Sequence, residues 1–250
     1  MFLFLVTLAD ALSTVVGAAL GVFFKDVPHR VNDLILGFAA GIMLCAATFG
    51  LVQPSLEMGG EYAVLVSTVG ILAGMFFLKL VDRFVPHLHG VPGGIEEQHP
   101  TVNSGMNRAI LFVLAIAIHN FPEGAAVGVS FGTGNMADVI SISAGIALQN
   151  VPEGMAVIAP LVASGVSRKK AFLLSCITAV VEALGVVFGY LAASLTAAVL
   201  PFALAFAGGA MLYIVSDEMI PETHGHGNEG GATEALLLGF CTMMLMDFYL

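Results

Sequence analysis

The 250-residue chain is 58% hydrophobic and only 10% charged, with a mean hydropathy of +0.96. Soluble domains carry about 25% charged residues, so this composition excludes an ordinary soluble protein and predicts an all-α polytopic membrane protein. The formal net charge of −10 argues against a nucleic-acid partner, because such partners require a basic surface.

Eight apolar runs approach the roughly 20 residues that a helix needs to cross a bilayer. They cover residues 1–24, 31–53, 61–85, 108–131, 137–164, 169–195, 201–220 and 233–250. We therefore predict one transmembrane domain over residues 1–250, with eight helical spans numbered in chain order. Because the chain opens directly into an apolar run without a basic segment, the first span is expected to be retained.

The basic residues predict the orientation. All eight flank the connections between spans 1 and 2, 3 and 4, and 5 and 6: Lys25, Arg30, Lys79, Arg83, Arg108, Arg168, Lys169 and Lys170. Cytoplasmic loops carry an excess of Lys and Arg, so both termini are predicted to be extracytoplasmic, in a multi-pass protein of the cell (inner) membrane. Two His-containing loops are then cytoplasmic, at residues 86–107 between spans 3 and 4 and at residues 221–232 between spans 7 and 8. Their histidines are either solvated or loose metal ligands.

Small residues recur at helical spacing inside four spans. The glycine pairs are Gly17/Gly21, Gly37/Gly41, Gly70/Gly74 and Gly185/Gly189. Such pairs let helix backbones approach closely in lipid. The pattern favours packing within the chain over a subunit interface, and a homodimer stays possible.

One short motif occurs twice, thirty residues apart, in spans 4 and 5. The copies are His119-Asn120-Phe121-Pro122-Glu123-Gly124 and Gln149-Asn150-Val151-Pro152-Glu153-Gly154. A carboxylate at the centre of a membrane span costs ~2.5–3.5 kcal/mol on insertion scales, so two neighbouring copies indicate a purpose. The two spans cross the membrane in opposite directions, which is typical of inverted repeats around a midplane site.

The motif places its ligands on defined helix faces. Side chains four apart share a face, so His119 and Glu123 point the same way, as do Gln149 and Glu153. The asparagine of each copy lies on an adjoining edge. Each proline removes one backbone donor and frees a carbonyl, which at membrane depth requires a cavity, an ion or a neighbour.

A third acid, Glu182, lies at the middle of span 6. A single glutamate there could be protonated or bonded to a neighbouring helix, but three at one depth with an imidazole and amides indicate a cation site. Mixed N/O ligands suit zinc and neighbouring first-row divalent ions. The spans thus predict an inverted-repeat helix bundle with a metal site on helices 4, 5 and 6.

Further polar or soft side chains have open roles. Met43 in span 2 is either core packing or a soft ligand. Asp217 and Glu218, beside Glu222 near the cytoplasmic end of span 7, are either solvated or part of a metal exit. The role of Asp10 in span 1 is not explained by the pattern.

At these residues the sequence resembles the ZIP family of divalent-metal transporters, in particular its bacterial members. The resemblance rests on both motif copies, Glu182, the eight spans and the His-bearing loop between spans 3 and 4. It implies uptake of divalent cations into the cytoplasm, with Zn²⁺ foremost, Cd²⁺, Fe²⁺, Mn²⁺ and Co²⁺ as competing ions, and no organic cofactor.

The resemblance also implies a two-metal site at the midplane. One ion would take His119, Glu123, Gln149, Glu153 and Met43. The second would take Asn120, Glu123, Asn150, Glu153 and Glu182. Glu218, Glu222 and the loop histidines would line the exit. Some relatives carry an acid in place of Asn150 or a His in place of Gln149, so this chain offers less ligand charge.

The function predicted is secondary transport by alternating access, without enzymatic activity. The resemblance groups spans 1, 4, 5 and 6 in one bundle and spans 2, 3, 7 and 8 in the other. A passive divalent-metal channel would use the same ligands. An intramembrane metalloprotease is disfavoured, because such enzymes use His-Glu-x-x-His and this chain has one intramembrane histidine, His119.

Overall fold

The computed structural model describes residues 1–24, 28–84, 105–163, 165–196 and 198–250. The predicted loop 86–107, with its three histidines, lies outside the described residues except for its last three positions, where a helix begins. Ten α-helices occupy the described ranges: α1 (Phe2–Phe23), α2 (His29–Cys45), α3 (Gln53–Met58), α4 (Ala63–Phe84), α5 (Gly105–Ser130), α6 (Met136–Ala163), α7 (Arg168–Leu195), α8 (Leu200–Ile214), α9 (Ile220–His224) and α10 (Glu229–Tyr249). Short 3₁₀ turns at Gly60–Tyr62 and Phe131–Thr133 precede α4 and follow α5.

Two long helices contain a π-helical segment. Ala46–Val52 joins α2 to α3, and Val215–Met219 joins α8 to α9. Each segment ends two residues before a proline, Pro54 or Pro221, which has no N–H to donate to the preceding turn. π-helical turns are rare and occur frequently at functional sites. The second predicted span therefore extends to residue 58, and the seventh to residue 224.

The predicted membrane character is confirmed in part. Within the described residues, six helices are long and apolar enough to cross a bilayer by length and composition. They are Phe2–Phe23, His29–Met58, Gly60–Val81, Arg168–Leu195, Leu200–His224 and Glu229–Tyr249. α5 and α6, which carry the two polar motif copies, are outside this set, so the number of eight spans stays a prediction.

The helices pack in two sets. In the first, α5 packs along α7, and α1 lies against both α6 and α7. In the second, α2 packs along α10, and α4 along α8. The two sets meet where α2 contacts α6 and where α5 contacts α8. A buried cluster at this junction includes Ile42, Met43, Ile142, Ile146 and Met211.

The glycine pairs lie at backbone contacts within the chain, as predicted. A Cβ on Gly41 would overlap the Leu236 carbonyl of α10, and one on Gly74 would overlap the Phe206 carbonyl of α8. In lipid the hydrophobic effect does not drive helices together, so van der Waals contact at such close approaches stabilises their association instead. These glycines therefore hold the two helix pairs of the second set together.

Between α8 and α10 the structure corrects a boundary. The predicted cytoplasmic loop 221–232 is largely helical, since α9 runs to His224 and α10 begins at Glu229. The His224 ring contacts both neighbouring helices. Its Nδ1 lies 2.8 Å from the Ile220 carbonyl oxygen, and its Nε2 lies 3.0 Å from the Thr233 hydroxyl. These contacts tie the segment to both helices.

Candidate metal-binding site

The first motif copy stays helical, and its glycine sets the position of the neighbouring helix. α5 continues through Pro122. A Cβ on Gly124 would overlap the carbonyl oxygen of Glu182, so α5 and α7 touch backbone to backbone at this point. Glu123 and Glu182 are consequently brought to the same level of the bundle.

The second motif copy uses its glycine in the same way against α1. A Cβ on Gly154 would lie 2.5 Å from the Thr14 carbonyl oxygen. Gly17 of α1 makes the same kind of close contact with α6, since a Cβ there would overlap the carbonyl of Val151. The two motif glycines thus determine which helix flanks each copy: α7 beside the first and α1 beside the second.

Between the motif copies lies a buried polar layer, defined here by Asn120, Glu123, Gln149, Asn150, Glu153 and Glu182. Glu123 has 0% exposure, and its two carboxylate oxygens have no hydrogen-bond partner of sound geometry among the described residues. The Gln149 amide lies close enough to interact favourably with this carboxylate, but by geometry its nitrogen and oxygen also lack hydrogen-bond partners in the described part of the chain. Within the described residues, Asn120 Oδ1, Asn150 Oδ1 and Glu153 Oε2 are unpartnered as well.

Unpartnered buried oxygens are unusual, because most buried polar atoms in native proteins have a partner. Glu123 is close enough to Glu153 and Glu182 for the three negative charges to repel one another. A bound cation would satisfy both the oxygens and the charge. The layer therefore has the chemistry of a cation site, with free carboxylate and amide oxygens.

Glu182 is the best-connected acid of the layer. Its Oε2 accepts a hydrogen bond from the Thr14 hydroxyl at 2.9 Å, and its Oε1 accepts one from the Asn150 amide. These bonds join α7 to α1 and α6. Glu182 and Asn150 thus form one end of the layer.

His119 lies at the other end, next to the π-helical segment of the seventh span. Its Nε2 is 2.7 Å from Glu218 Oε1, and the two side chains are 12% and 15% exposed. Glu153 is close enough to both side chains to interact with their charges. Glu218 therefore lies beside the layer rather than in a separate solvated patch.

The remaining predicted residues differ in position. Met43 is fully buried in the apolar cluster at the junction of the two helix sets. Glu222 and Asp217 are exposed, so the structure does not bring them into the buried layer. In the described parts of the chain, no three His, Cys, Asp or Glu side chains are grouped closely enough to hold a metal ion. The layer thus combines its acids with amide side chains.

Sequence reasoning did not assign two polar contacts. Asp10, fully buried in α1, accepts a hydrogen bond from Ser143 of α6 at 2.9 Å. Asp33 of α2 is 3.0 Å from His226 Nδ1. An acid inside an apolar run is visible in the sequence, but its partner on a distant helix is not.

Comparison with known proteins decides the family. The ZIP zinc transporter family model matches residues 93–247. The chain belongs to the ZIP family. The zinc transporter GufA of Myxococcus xanthus is 40% identical and aligns over 95% of this chain and 94% of its own length. The zinc transporter ZIPB of Bordetella bronchiseptica is 39% identical, over 94% of this chain and 77% of its own length.

Similarity within the ZIP family extends beyond these two proteins. The zinc transporter ZupT of Chlorobium chlorochromatii is 33% identical to this chain, over 98% of this chain and 96% of its own length. The resemblance predicted from the two motif copies is confirmed. Membership of the family, together with the long apolar helices, identifies a multi-pass membrane protein and indicates a transporter rather than an enzyme.

Proposed function

We propose that this protein transports divalent metal cations, Zn²⁺ foremost, across the inner membrane into the cytoplasm through the buried polar layer. One observation carries the proposal: Glu123, a fully buried acid of α5, has two carboxylate oxygens that find no hydrogen-bond partner among the described residues. Retaining that group is costly unless a cation occupies the site during the working cycle. The three relatives described above are each named as zinc transporters, which supports Zn²⁺ as the main substrate.

The layer offers two unequal positions for metal ions. His119, Glu123, Gln149 and Glu153 would hold one ion, with Met43 as a soft fifth ligand. Asn120, Glu123, Asn150, Glu153 and Glu182 would hold the other. The imidazole belongs to the first position alone, so the two ions would be held by different donor sets. Cd²⁺, Fe²⁺, Mn²⁺ and Co²⁺ are the competing substrates that such N/O ligands accept, and no organic cofactor takes part.

The exit toward the cytoplasm begins at His119. The His119–Glu218 pair is partly exposed, whereas Glu123 is completely buried. This gradient of exposure supports a layer that is closed on one side and approaches solvent on the other. Glu222, exposed on α9, and the histidines of the loop at residues 86–107 would take ions farther outward.

Transport by alternating access fits the two packed sets of helices. We propose eight spans with both termini outside, in which the set α1, α5, α6 and α7 carries the metal and the set around α2, α4, α8 and α10 faces it. The close backbone contacts lie within each set, so each set can move as a unit. Rocking one unit against the other would open the layer to each side in turn. The protein would work in a lipid bilayer, and we propose a homodimer as its assembly.

A flux assay tests the transport proposal and separates a carrier from a channel. Purified protein in proteoliposomes should take up ⁶⁵Zn²⁺ with saturable kinetics. Unlabelled Zn²⁺ preloaded inside should accelerate uptake of the isotope, because a carrier returns faster when loaded. Uptake that rises linearly with Zn²⁺ concentration, without acceleration by internal Zn²⁺, would support a channel instead. No uptake above empty liposomes would contradict metal transport altogether.

A further inference from the structure

Asp10 is a buried acid that neither proposed ligand set uses. Its side chain has 0% exposure in the middle of α1. Oδ1 accepts a hydrogen bond from the Ser143 hydroxyl at 2.9 Å, while Oδ2 is buried and has no hydrogen-bond partner in the described ranges. One neutral donor is little compensation for a carboxylate removed from water.

Asp10 lies beside the end of the layer that Glu182 and Asn150 form. The Asn150 amide that donates to Glu182 also lies 3.5 Å from the Asp10 backbone carbonyl. One helical turn after Asp10, Thr14 donates to the other oxygen of Glu182. Asp10 is also close enough to Glu182 and Glu123 for their charges to interact. The α1 turn from Asp10 to Thr14 therefore forms a wall of the layer.

The sequence provides no basic residue close to this acid along α1. All eight Lys and Arg residues of the chain occur at the predicted ends of spans, whereas Asp10 lies within α1 between Phe2 and Phe23. The nearby acids Glu182 and Glu123 further raise the free-energy cost of a buried negative charge on Asp10. A divalent cation at the Glu182 end of the layer would neutralise Asp10 together with Glu182.

We propose that Asp10 is a further acidic residue of the metal-binding layer, supplying negative charge and a free carboxylate oxygen to the ion held by Glu182 and Asn150. Asn150 contributes a neutral amide to that ion, so Asp10 of α1 adds a negative charge that the Asn150 position of α6 does not supply. This inference rests on the proposed function, because it assumes that the layer binds the transported metal. It adds α1 to the helices that supply ligands.

Zinc binding to the purified, full-length protein in detergent micelles tests the role of Asp10. Isothermal titration calorimetry with Zn²⁺ would compare the wild type with Asp10→Asn, an isosteric change that removes only the charge. We expect Asp10→Asn to lower the affinity for one of the bound Zn²⁺ ions by roughly 10-fold or more, as changes beside metal ligands typically do. The matched control is Asp138→Asn, because Asp138 is a partly buried acid in the first turn of α6. This variant should bind Zn²⁺ with the affinity of the wild type.

A charge-relocation variant separates a role in metal binding from a structural one. In Asp10→Asn/Asn150→Asp the negative charge moves from α1 to α6, and we expect recovery of the lost affinity to within a few-fold of wild type. If Asp10 has only a structural role or is protonated, Asp10→Asn should bind Zn²⁺ as the wild type does, and that result would overturn the inference. The inference would also fail if the double variant melts like the wild type but does not recover Zn²⁺ affinity. If the wild type itself binds no Zn²⁺, the proposed function fails; if it binds Zn²⁺ and Asp10→Asn is unchanged, only the role of Asp10 fails.

Discussion

Replacing Glu123 with Gln is expected to reduce Zn²⁺ uptake into proteoliposomes by more than about 100-fold. Glu123 is the only acid of the layer with both oxygens buried and unpartnered among the described residues, and both proposed ions share it. Changes behind metal ligands already cost about 10–100-fold in affinity or activity, so loss of a shared ligand should cost more. The substitution keeps size and shape, and therefore leaves the packing of α5 intact.

Glu234→Gln provides the matched control for this prediction. Glu234 is exposed on α10, so the same chemical change there should leave uptake at the wild-type rate. Equal amounts of folded protein in the liposomes are checked by size-exclusion chromatography before reconstitution. Uptake by Glu123→Gln within about 2-fold of wild type would contradict a role for the layer in transport, since loss of a real ligand costs far more than this.

Replacing Gly124 with Ala is expected to destabilise the protein and weaken Zn²⁺ binding, although no ligand is removed. A Cβ at this position overlaps the Glu182 carbonyl, so α7 must move away from α5 and take the Glu182 side chain with it. Overpacking in a well-packed core typically costs about 1–3 kcal/mol. Thermal unfolding in detergent and Zn²⁺ calorimetry on the same sample measure both effects.

Gly230→Ala is the control for the glycine substitution. A Cβ on Gly230, in the first turn of α10, meets nothing within 4 Å, and Ala is favoured over Gly in helices by about 1 kcal/mol. The variant should therefore be as stable as the wild type or more so. An unchanged melting temperature and unchanged Zn²⁺ affinity in Gly124→Ala would show that the close approach of α5 and α7 does not position Glu182.

Much of the helical layout follows from hydropathy alone. The predicted runs at 1–24, 169–195 and 233–250 match α1, α7 and α10 to within a few residues. These helices are apolar along most of their length, so the signal depends only on transfer from water to lipid. The family assignment also followed from local sequence, because each motif copy is six consecutive residues and the two copies share Asn, Pro, Glu and Gly at the same positions.

The π-helical segments could not be predicted in this way. Ala46–Val52 and Val215–Met219 differ from α-helix by one extra residue in a turn, which leaves hydropathy unchanged. The nearby Pro54 and Pro221 were visible, but proline also ends or kinks ordinary helices. Which outcome occurs depends on packing against neighbouring helices, and a single sequence does not contain that information.

The partners of the polar side chains were equally hidden. Glu182 was predicted to lie at mid-membrane, but its bonds to Thr14 and Asn150 join three helices. His119 was predicted as a ligand, while its contact with Glu218 spans 99 residues of sequence. Helical periodicity gives the face on which a residue lies, whereas the rotation of each helix against the next is decided by close contacts such as those at the motif glycines.

Unequal ends are the main property of the layer. One end has an imidazole and a partly exposed carboxylate, His119 and Glu218. The other end is fully buried, with Glu182 hydrogen-bonded across α1 and α6. Two ions held at these ends would therefore differ in affinity and in access to water, which would let one leave toward the cytoplasm before the other.

An anomalous difference map from crystals grown with Cd²⁺ would show whether the buried layer binds metal, because it locates the ion without reference to activity. We expect density between α5 and α6, in contact with the carboxylates of Glu123 and Glu153. Density confined to acids and histidines at the surface, with the buried layer empty at saturating Cd²⁺, would contradict it.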